Sequence, residues 1–314
     1  MKKFLAFLLA VTVFCFTVGC GATESAGPEP AEETITVTDD LGCQVTLARP
    51  KRTAVLIGSF ADVWCLSGGK DSLVAAADDT WTQFDLELSE DVVHLGGVKT
   101  PNLEKLLTSQ PDLVIGSTKT AADLEIKETL EKMNIPMLCF NVSSFEDYLR
   151  MLEVCTQLTG HPEYYKQYGT DVQSQVDTAR ARATGESPRV LYVRASGSSC
   201  KVKNSKDSVL GEMLADLGCK NIADQEKGLL ETLSMETILT ADPDCIFAVL
   251  QGSDTTEAQQ SLQEALLSNP AWESLTAVKE QRFYIMDQTL YNLKPNARWG
   301  EAYEKLADIL YPAS

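Results

Sequence analysis

The chain has 314 residues, 44 % of them hydrophobic and 23 % charged, enough for two compact lobes or one large domain. A formal net charge of −18 leaves no broad cationic surface. That balance excludes binding to nucleic acid or to anionic lipid through bulk charge.

The first element is a targeting segment. Lys2 and Lys3 precede an apolar run from Phe4 to Val18, and then come Gly19 and Cys20. This positive, apolar, small-residue order is that of a secretory signal. At about 15 residues the run is shorter than the roughly 20 needed to span a bilayer. Thr17-Val18-Gly19-Cys20 resembles a bacterial lipobox, with Thr17 where Leu is usual. Residues 1–19 are thus expected to be a lipoprotein signal peptide and Cys20 the lipidated residue; a plain signal peptide cut elsewhere is the alternative. Residues 20–33 are small, acidic and Pro-containing, and read as a flexible tether with a coil reach of about 20 Å. The chain is then extracytoplasmic and held to the membrane by lipid only.

The folded part opens with alternation over Thr34–Thr38, a turn at Asp39-Asp40-Leu41-Gly42, and a second strand over Gln44–Leu47. Ala54–Ile57 is a continuous apolar run, as in a strand buried on both faces. A helix through Trp64-Cys65-Leu66 follows and stops at Gly68-Gly69. Strand signals recur at Leu113–Ile115 and Met137–Phe140 with helices between them. The rhythm predicts an α/β lobe over 34–143 with a mainly parallel sheet.

Residues 144–183 are helical in pattern. Ser143 with Glu146 predicts a capping box for a helix running to about Leu158. Pro162 suits the first position of a second helix, on which Tyr165, Tyr168, Val172, Val176, Ala179 and Ala183 share one face. About 21 residues would span roughly 32 Å, the width of a lobe. A second α/β rhythm begins at Arg189–Val193. The predicted architecture is two α/β lobes, each a mainly parallel sheet flanked by helices, joined by one long rigid helix, with the second lobe over 184–314. A surface helix on one large domain is the alternative.

An internal repeat supports two lobes. Asn102-Leu103-Glu104-Lys105-Leu106-Leu107 leads to Pro111-Asp112-Leu113-Val114-Ile115. Ser234-Met235-Glu236-Thr237-Ile238-Leu239 leads to Pro243-Asp244-Cys245-Ile246-Phe247, with every position aligned at an offset of 132 residues. In each copy an N-cap side chain meets a free backbone N–H, a glutamate sits at the positive end of the helix dipole, and a proline ends the helix before a buried strand. A cleft between two such lobes is a natural ligand site.

Taken in order, these features resemble the substrate-binding proteins of ABC importers for iron–siderophores, haem and cobalamin. The resemblance covers nearly all of the mature chain. It rests on ITVTDDLGCQVTL with RPKRTAVL, the paired glutamate segments, Asn269–Leu275 with Ala277-Val278-Lys279, Arg282-Phe283-Tyr284 and Pro295–Trp299. It implies two lobes on one helix that close only slightly on a ligand. It also implies that Glu104 and Glu236 dock onto arginines of a permease, which engages an ATPase, and that the binding protein is a monomer. The same glutamates would in any case stabilise their helix N-termini.

Ligands of open α/β lobes meet loops at the carboxyl ends of the strands. The candidates are Ser59, Trp81 and Lys119 in the first lobe and Arg194, Lys201, Lys203, Tyr291 and Lys294 in the second. Arg194, Lys201 and Lys203 are a basic cluster in an acidic chain, suited to an anionic ferric chelate; Trp81 and Tyr291 offer aromatic faces. A solvated loop and ordinary core aromatics explain each residue alone equally well. Haem or a corrinoid is the second ligand class, and a ligand-binding module for a membrane sensor the second role. His94 and His161 are the only histidines, too few for a bare zinc or manganese site, so no metal ligands are assigned. Seven cysteines follow Cys20, an odd number without CxxC and mostly in apolar settings, and read as buried small hydrophobes. HExxH, GxSxG, GxxxxGK[ST] and GxGxxG are all absent from the sequence, which favours binding over catalysis; no cofactor is expected.

Overall fold

The computed structural model describes residues 33–312, apart from 184, 186, 207 and 253. The signal peptide, Cys20 and most of the expected tether lie outside the described residues. Of the described residues, no helix is long and apolar enough to cross a membrane.

An antiparallel hairpin, β1 (Thr34–Thr38) and β2 (Gln44–Ala48), precedes the first lobe. That lobe contains β3 (Thr53–Val55), β4 (Leu73–Ala76), β5 (Val93–His94), β6 (Leu113–Ser117) and β7 (Met137–Phe140). They form one parallel sheet in the order β5-β4-β3-β6-β7. Asp39 and Asp40 in the hairpin turn accept hydrogen bonds from the backbone N–H groups of Cys139 (3.1 Å) and Asn141 (2.7 Å), which docks the hairpin against β7.

The second lobe contains β8 (Arg189–Ser196), β9 (Ser199–Lys203), β10 (Lys220–Asn221), β11 (Cys245–Leu250) and β12 (Phe283–Met286). Strands β10-β8-β11-β12 are parallel in that order; β9 folds back antiparallel along the carboxyl half of β8.

The internal repeat is visible atom by atom. Asn102 caps the Leu103–Thr108 helix by accepting from the Lys105 N–H at 2.9 Å, and Ser234 caps Met235–Ala241 by accepting from the Thr237 N–H at 3.3 Å. In the first lobe Asp112 accepts from the N–H groups of Lys51 (2.9 Å) and Arg52 (3.0 Å). In the second Asp244 accepts from the N–H of Arg189 at 2.7 Å. The Arg52 and Arg189 guanidinium groups then bind carbonyls at the end of the repeated helix, those of Ser109 and Gln110 in one lobe and Ala241 in the other. The repeated Pro-Asp therefore fastens each inter-lobe-equivalent strand at its start.

Between the lobes lie two helical runs. Phe145–Thr159 starts one residue later than the sequence predicts: Ser144 is the N-cap and Asp147, not Glu146, closes the capping box. The reason is that Ser143 also turns to Asp147, donating from its N–H (3.0 Å) and hydroxyl (3.1 Å). Burial raises the Asp147 pKa, but the Ser143 and Ser144 N–H groups and Arg150 outweigh it and hold the carboxyl below its usual range. The second run covers 162–180 rather than 162–183, and it is not a uniform α-helix. A wider π turn at Lys166–Thr170 separates Pro162–Tyr165 from Asp171–Arg180. The Tyr148 hydroxyl donates to the Tyr168 carbonyl at 2.9 Å, tying the two runs together at that turn.

One hydrophobic core passes through these helices. It runs from Val55, Ile115 and Leu138 on the first sheet, through Phe145, Tyr148, Val172, Val176 and Trp299, to Val190, Tyr192 and Phe247 on the second. Each sheet has a separate core on its other face. The carboxyl end of the 162–180 run is also pinned by charge. Arg180 bridges Glu146, Asp216 and the Tyr303 hydroxyl, and Arg182 reaches Asp308 and the Tyr311 carbonyl. Stiffness between the lobes thus comes from a shared core and an ion-pair network as well as from helix geometry.

Candidate functional site

A cleft of about 140 Å³ lies where the carboxyl ends of β3, β6 and β7 face the second lobe. From the first lobe it is lined by Ile57 and Phe60, by Ser117 and Lys119 after β6, and by Asn141, Val142 and Ser143 after β7. From the second it is lined by Tyr192 and Arg194 on β8, Ser208 and Val209 at the start of the Val209–Asp216 helix, and Tyr291, Asn292 and Lys294 after β12. Among the described residues lining it, three are cationic and none is acidic. In a chain of net charge −18, that local inversion is a strong electrostatic signature.

Each cation is held differently. Arg194 donates to the Asn292 Oδ1 at 3.3 Å, and the same oxygen accepts from Gln251 at 3.1 Å, which orients the guanidinium into the cleft. Lys294 is partly exposed as a residue, but its ammonium lies deep. Burial, helped by the Arg194 charge and opposed by Asp147, pushes its pKa down to about 8. The Lys119 N–H donates to the Ser117 hydroxyl at 3.1 Å, which fixes the loop after β6. Behind that loop Asp123 is fully buried and accepts from the Ser117 N–H at 2.7 Å; burial raises its pKa to about 6 against the pull of that bond.

The segment carrying Tyr291, Asn292 and Lys294 is tied to the first lobe by Asn296. This residue is fully buried and has φ +52°, a region Asn tolerates better than most residues. Its Nδ2 donates to the Ser59 carbonyl and to the Asp62 carboxylate, both at 2.8 Å. Burial raises the Asp62 pKa, with the Asn296 bond opposing. Floor and walls of the cleft therefore share one latch.

Of the candidates from sequence, the cleft brings together Lys119, Arg194, Tyr291 and Lys294. Tyr291 presents its ring, while its hydroxyl is engaged in the fold, donating to the Ala302 carbonyl at 3.0 Å. Ser59 lies behind the cleft wall and takes part through its carbonyl in the Asn296 latch. Trp81 does not line the cleft; its ring stacks on His94 at 3.7 Å between centroids. Lys201 and Lys203 stand on β9 directly opposite Arg194 and Tyr192, on the same face of the sheet, but do not line the cleft. Glu104 and Glu236 are both exposed, in the first turns of their capped helices. The described cysteines are free.

Sequence reasoning missed Tyr192, Ser208 and Asn141; Asn292 lies in the 290–294 loop that it named. Tyr192 sits inside an apolar strand run and reads there as core. Only its placement on the cleft-facing side of β8 marks it. Among the described residues no three His, Cys, Asp or Glu side chains gather as a metal site.

The family model for periplasmic binding proteins matches residues 54–290. The putative ABC transporter substrate-binding lipoprotein YhfQ of Bacillus subtilis (strain 168) is 22 % identical over 311 residues, covering 94 % of this chain and 93 % of YhfQ. The Fe(3+)-citrate-binding protein YfmC of the same organism is 21 % identical over 299 residues, covering 91 % of this chain and 90 % of YfmC. Among solved structures, the apo periplasmic heme-binding protein RhuT from Roseiflexus sp. RS-1 matches with a TM-score of 0.67 at 20 % identity, over 83 % of this chain and 98 % of RhuT. At that identity the match speaks for a shared fold.

Proposed function

Because the chain belongs to the periplasmic binding protein family, we propose that it is the lipid-anchored substrate-binding component of an ABC importer, capturing an anionic ferric siderophore-type chelate in the inter-lobe cleft and delivering it to the permease. The observation that carries the ligand class is the cleft lining: Lys119, Arg194 and Lys294 line it together, and none of the described lining residues is acidic. Charge-assisted hydrogen bonds from such groups to carboxylate or catecholate oxygens are the strong kind. The Fe(3+)-citrate-binding protein YfmC, similar along most of both chains, is a relative of this ligand class. At about 140 Å³ the cleft is narrower than the roughly 300–1,000 Å³ usual for drug-sized ligands. Entry of a chelate therefore goes with outward swing of the long Lys and Arg side chains and a slight parting of the lobes.

Glu104 and Glu236 are the docking residues in this reading. The carboxyl ends of the repeated helices are held by Arg52 and Arg189 at the starts of β3 and β8, so their N-termini, and these glutamates, point toward the carboxyl ends of the two sheets. One acidic contact per lobe would then meet a permease placed over the cleft mouth.

Haem is the second reading, favoured by Tyr192, a cleft-lining residue whose buried hydroxyl has no hydrogen-bond partner, since a tyrosine oxygen can ligate haem iron. The test is titration of the purified, non-denatured protein with ferric citrate, a ferric tris-catecholate, haemin and cobalamin, followed by tryptophan fluorescence and calorimetry. Saturable binding of the anionic ferric chelates alone is expected. Saturable binding of haemin or cobalamin alone would replace this ligand assignment, and release of a chemically altered ligand would replace the binding role itself.

A further inference from the structure

Two buried hydroxyls on the second-lobe wall of the cleft have no hydrogen-bond partner: Tyr192 Oη and Ser208 Oγ. Tyr192 is fully buried and Ser208 is 6 % exposed. An unsatisfied buried hydroxyl is a standing cost to the folded chain, and native proteins rarely keep one without a use. Both residues line the cleft, alongside Arg194.

Ser208 is also the N-cap residue of the Val209–Asp216 helix, yet its side chain makes no capping bond. Serine at that position ordinarily turns back to a backbone N–H of the first turn. Here the hydroxyl remains uncommitted at the positive end of an eight-residue helix, where an anion is favoured. Close packing holds this end in place: a Cβ on Gly211 would come within 2.4 Å of the Asn204 carbonyl oxygen and 2.6 Å of Ser208 Oγ. Burial raises the Tyr192 pKa to about 12, with the Arg194 charge opposing, so the phenol keeps its proton and acts as a donor at neutral pH.

We infer that Tyr192, Ser208 and Arg194, at the amino end of the Val209–Asp216 helix, form an oxyanion subsite that takes a carboxylate group of the bound ferric chelate. The wall offers two hydroxyl donors, a guanidinium and the helix end. A carboxylate, with two adjacent acceptor oxygens, satisfies several of these at once. A neutral hydroxamate complex brings no such charged group. The subsite therefore selects carboxylate-bearing chelates within the wider class of ferric ligands.

This inference rests on the cleft being the site of an anionic ferric chelate, and the experiment separates the two. Ferric citrate is titrated into the wild type, Tyr192→Phe and Ser208→Ala, a neutral ferric tris-hydroxamate serves as the comparison, and the ligand-free thermal midpoint of each protein is recorded. Each variant is expected to weaken ferric citrate by roughly tenfold, the loss of one hydrogen bond to a charged group. Ligand-free midpoints should hold or rise, because the hydroxyl removed had no partner. That pairing of weaker binding with undiminished stability is not expected of a merely structural hydroxyl. If the wild type binds ferric citrate and both variants bind it equally well, the subsite is wrong while the chelate reading stands. The subsite is also wrong if the ligand-free variants lose stability in step with affinity, or if the neutral hydroxamate binds the wild type as tightly as ferric citrate. Failure of the wild type to bind ferric citrate overturns the subsite, and the chelate reading falls with it only if the ferric tris-catecholate also fails to bind.

Discussion

Replacing Lys294 with methionine separates what the buried ammonium costs the empty protein from what it does for a ligand. Its pKa stands at about 8, against 10.5 ordinarily, because burial disfavours the charged form. A shift of that size corresponds to about 3 kcal/mol; screening of a partly exposed side chain reduces it, and we take about 2 kcal/mol. A base whose folded pKa is depressed binds fewer protons folded than unfolded between those two values. Below pH 8 both states are protonated and the folded chain bears the full cost. Stability then rises with pH between about 8 and 10.5, and above that window the cost is gone. Lys294→Met should therefore stabilise the ligand-free protein by about 2 kcal/mol at pH 7 and have no such effect at pH 11. Affinity should move the opposite way. Loss of one charge-assisted hydrogen bond, about 1.5–3 kcal/mol, weakens ferric citrate roughly 10- to 100-fold at pH 7. The wild type should also lose affinity as pH rises through 8 to 9, while the variant, titrated in parallel so that ligand speciation cancels, should not. Urea unfolding and calorimetric titration from pH 6 to 11 read both effects. A wild-type affinity that is flat over this range, or that falls equally in the variant, would refute the placement of a charged Lys294 against the ligand.

Reversing the charge of Glu104 and Glu236 together should abolish uptake by the intact transporter while leaving ferric citrate affinity within about twofold, since the caps Asn102 and Ser234 and the cleft remain; uptake that persists would rule out the docking role. Asp112→Ala removes the acceptor for two backbone N–H groups at the start of β3 and should cost about 1–2 kcal/mol by urea unfolding. An unchanged midpoint would mean water replaces the carboxylate there. Cys20→Ser should move the protein from the membrane fraction to the soluble extracytoplasmic fraction; retention at the membrane would refute lipid anchoring through that residue.

The repeat carried most of what sequence could say about architecture. Asn102 and Ser234, with the glutamates two residues on and the Pro-Asp before each strand, specify local capping, helix length and strand start by short-range bonds, and short-range bonds are written in short stretches of chain. The same holds for the β1–β2 hairpin and for the face shared by Val172, Val176 and Ala179. Where local chemistry offered two near-equal choices, the reading slipped. Ser143 and Ser144 both have an acidic residue three positions on, and only the competition for Asp147 put the cap at Ser144. A π turn at Lys166–Thr170 keeps nearly the same buried face as an α-helix, so apolar periodicity alone does not reveal it.

The candidate site divides along the same line. Cationic loop residues in an acidic chain are conspicuous, and Arg194 and Lys294 stand out for that reason. Their assembly into one cleft depends on contacts between segments about 100 residues apart, such as Arg194 with Asn292, and on the Asn296 latch to Ser59 and Asp62 across more than 230 residues. Trp81 was drawn away by His94, a neighbour that no local pattern pairs with it. Tyr192 is apolar core by its sequence neighbours, and it comes to line the cleft only because the second lobe is set against the first by the shared core. Short-range spacing and the order of the segments that carry the resemblance thus determined the class of protein and its α/β lobes. The tertiary structure alone decided which side chains meet, because desolvation and hydrogen-bond competition act on groups brought close by folding, whatever their separation along the chain.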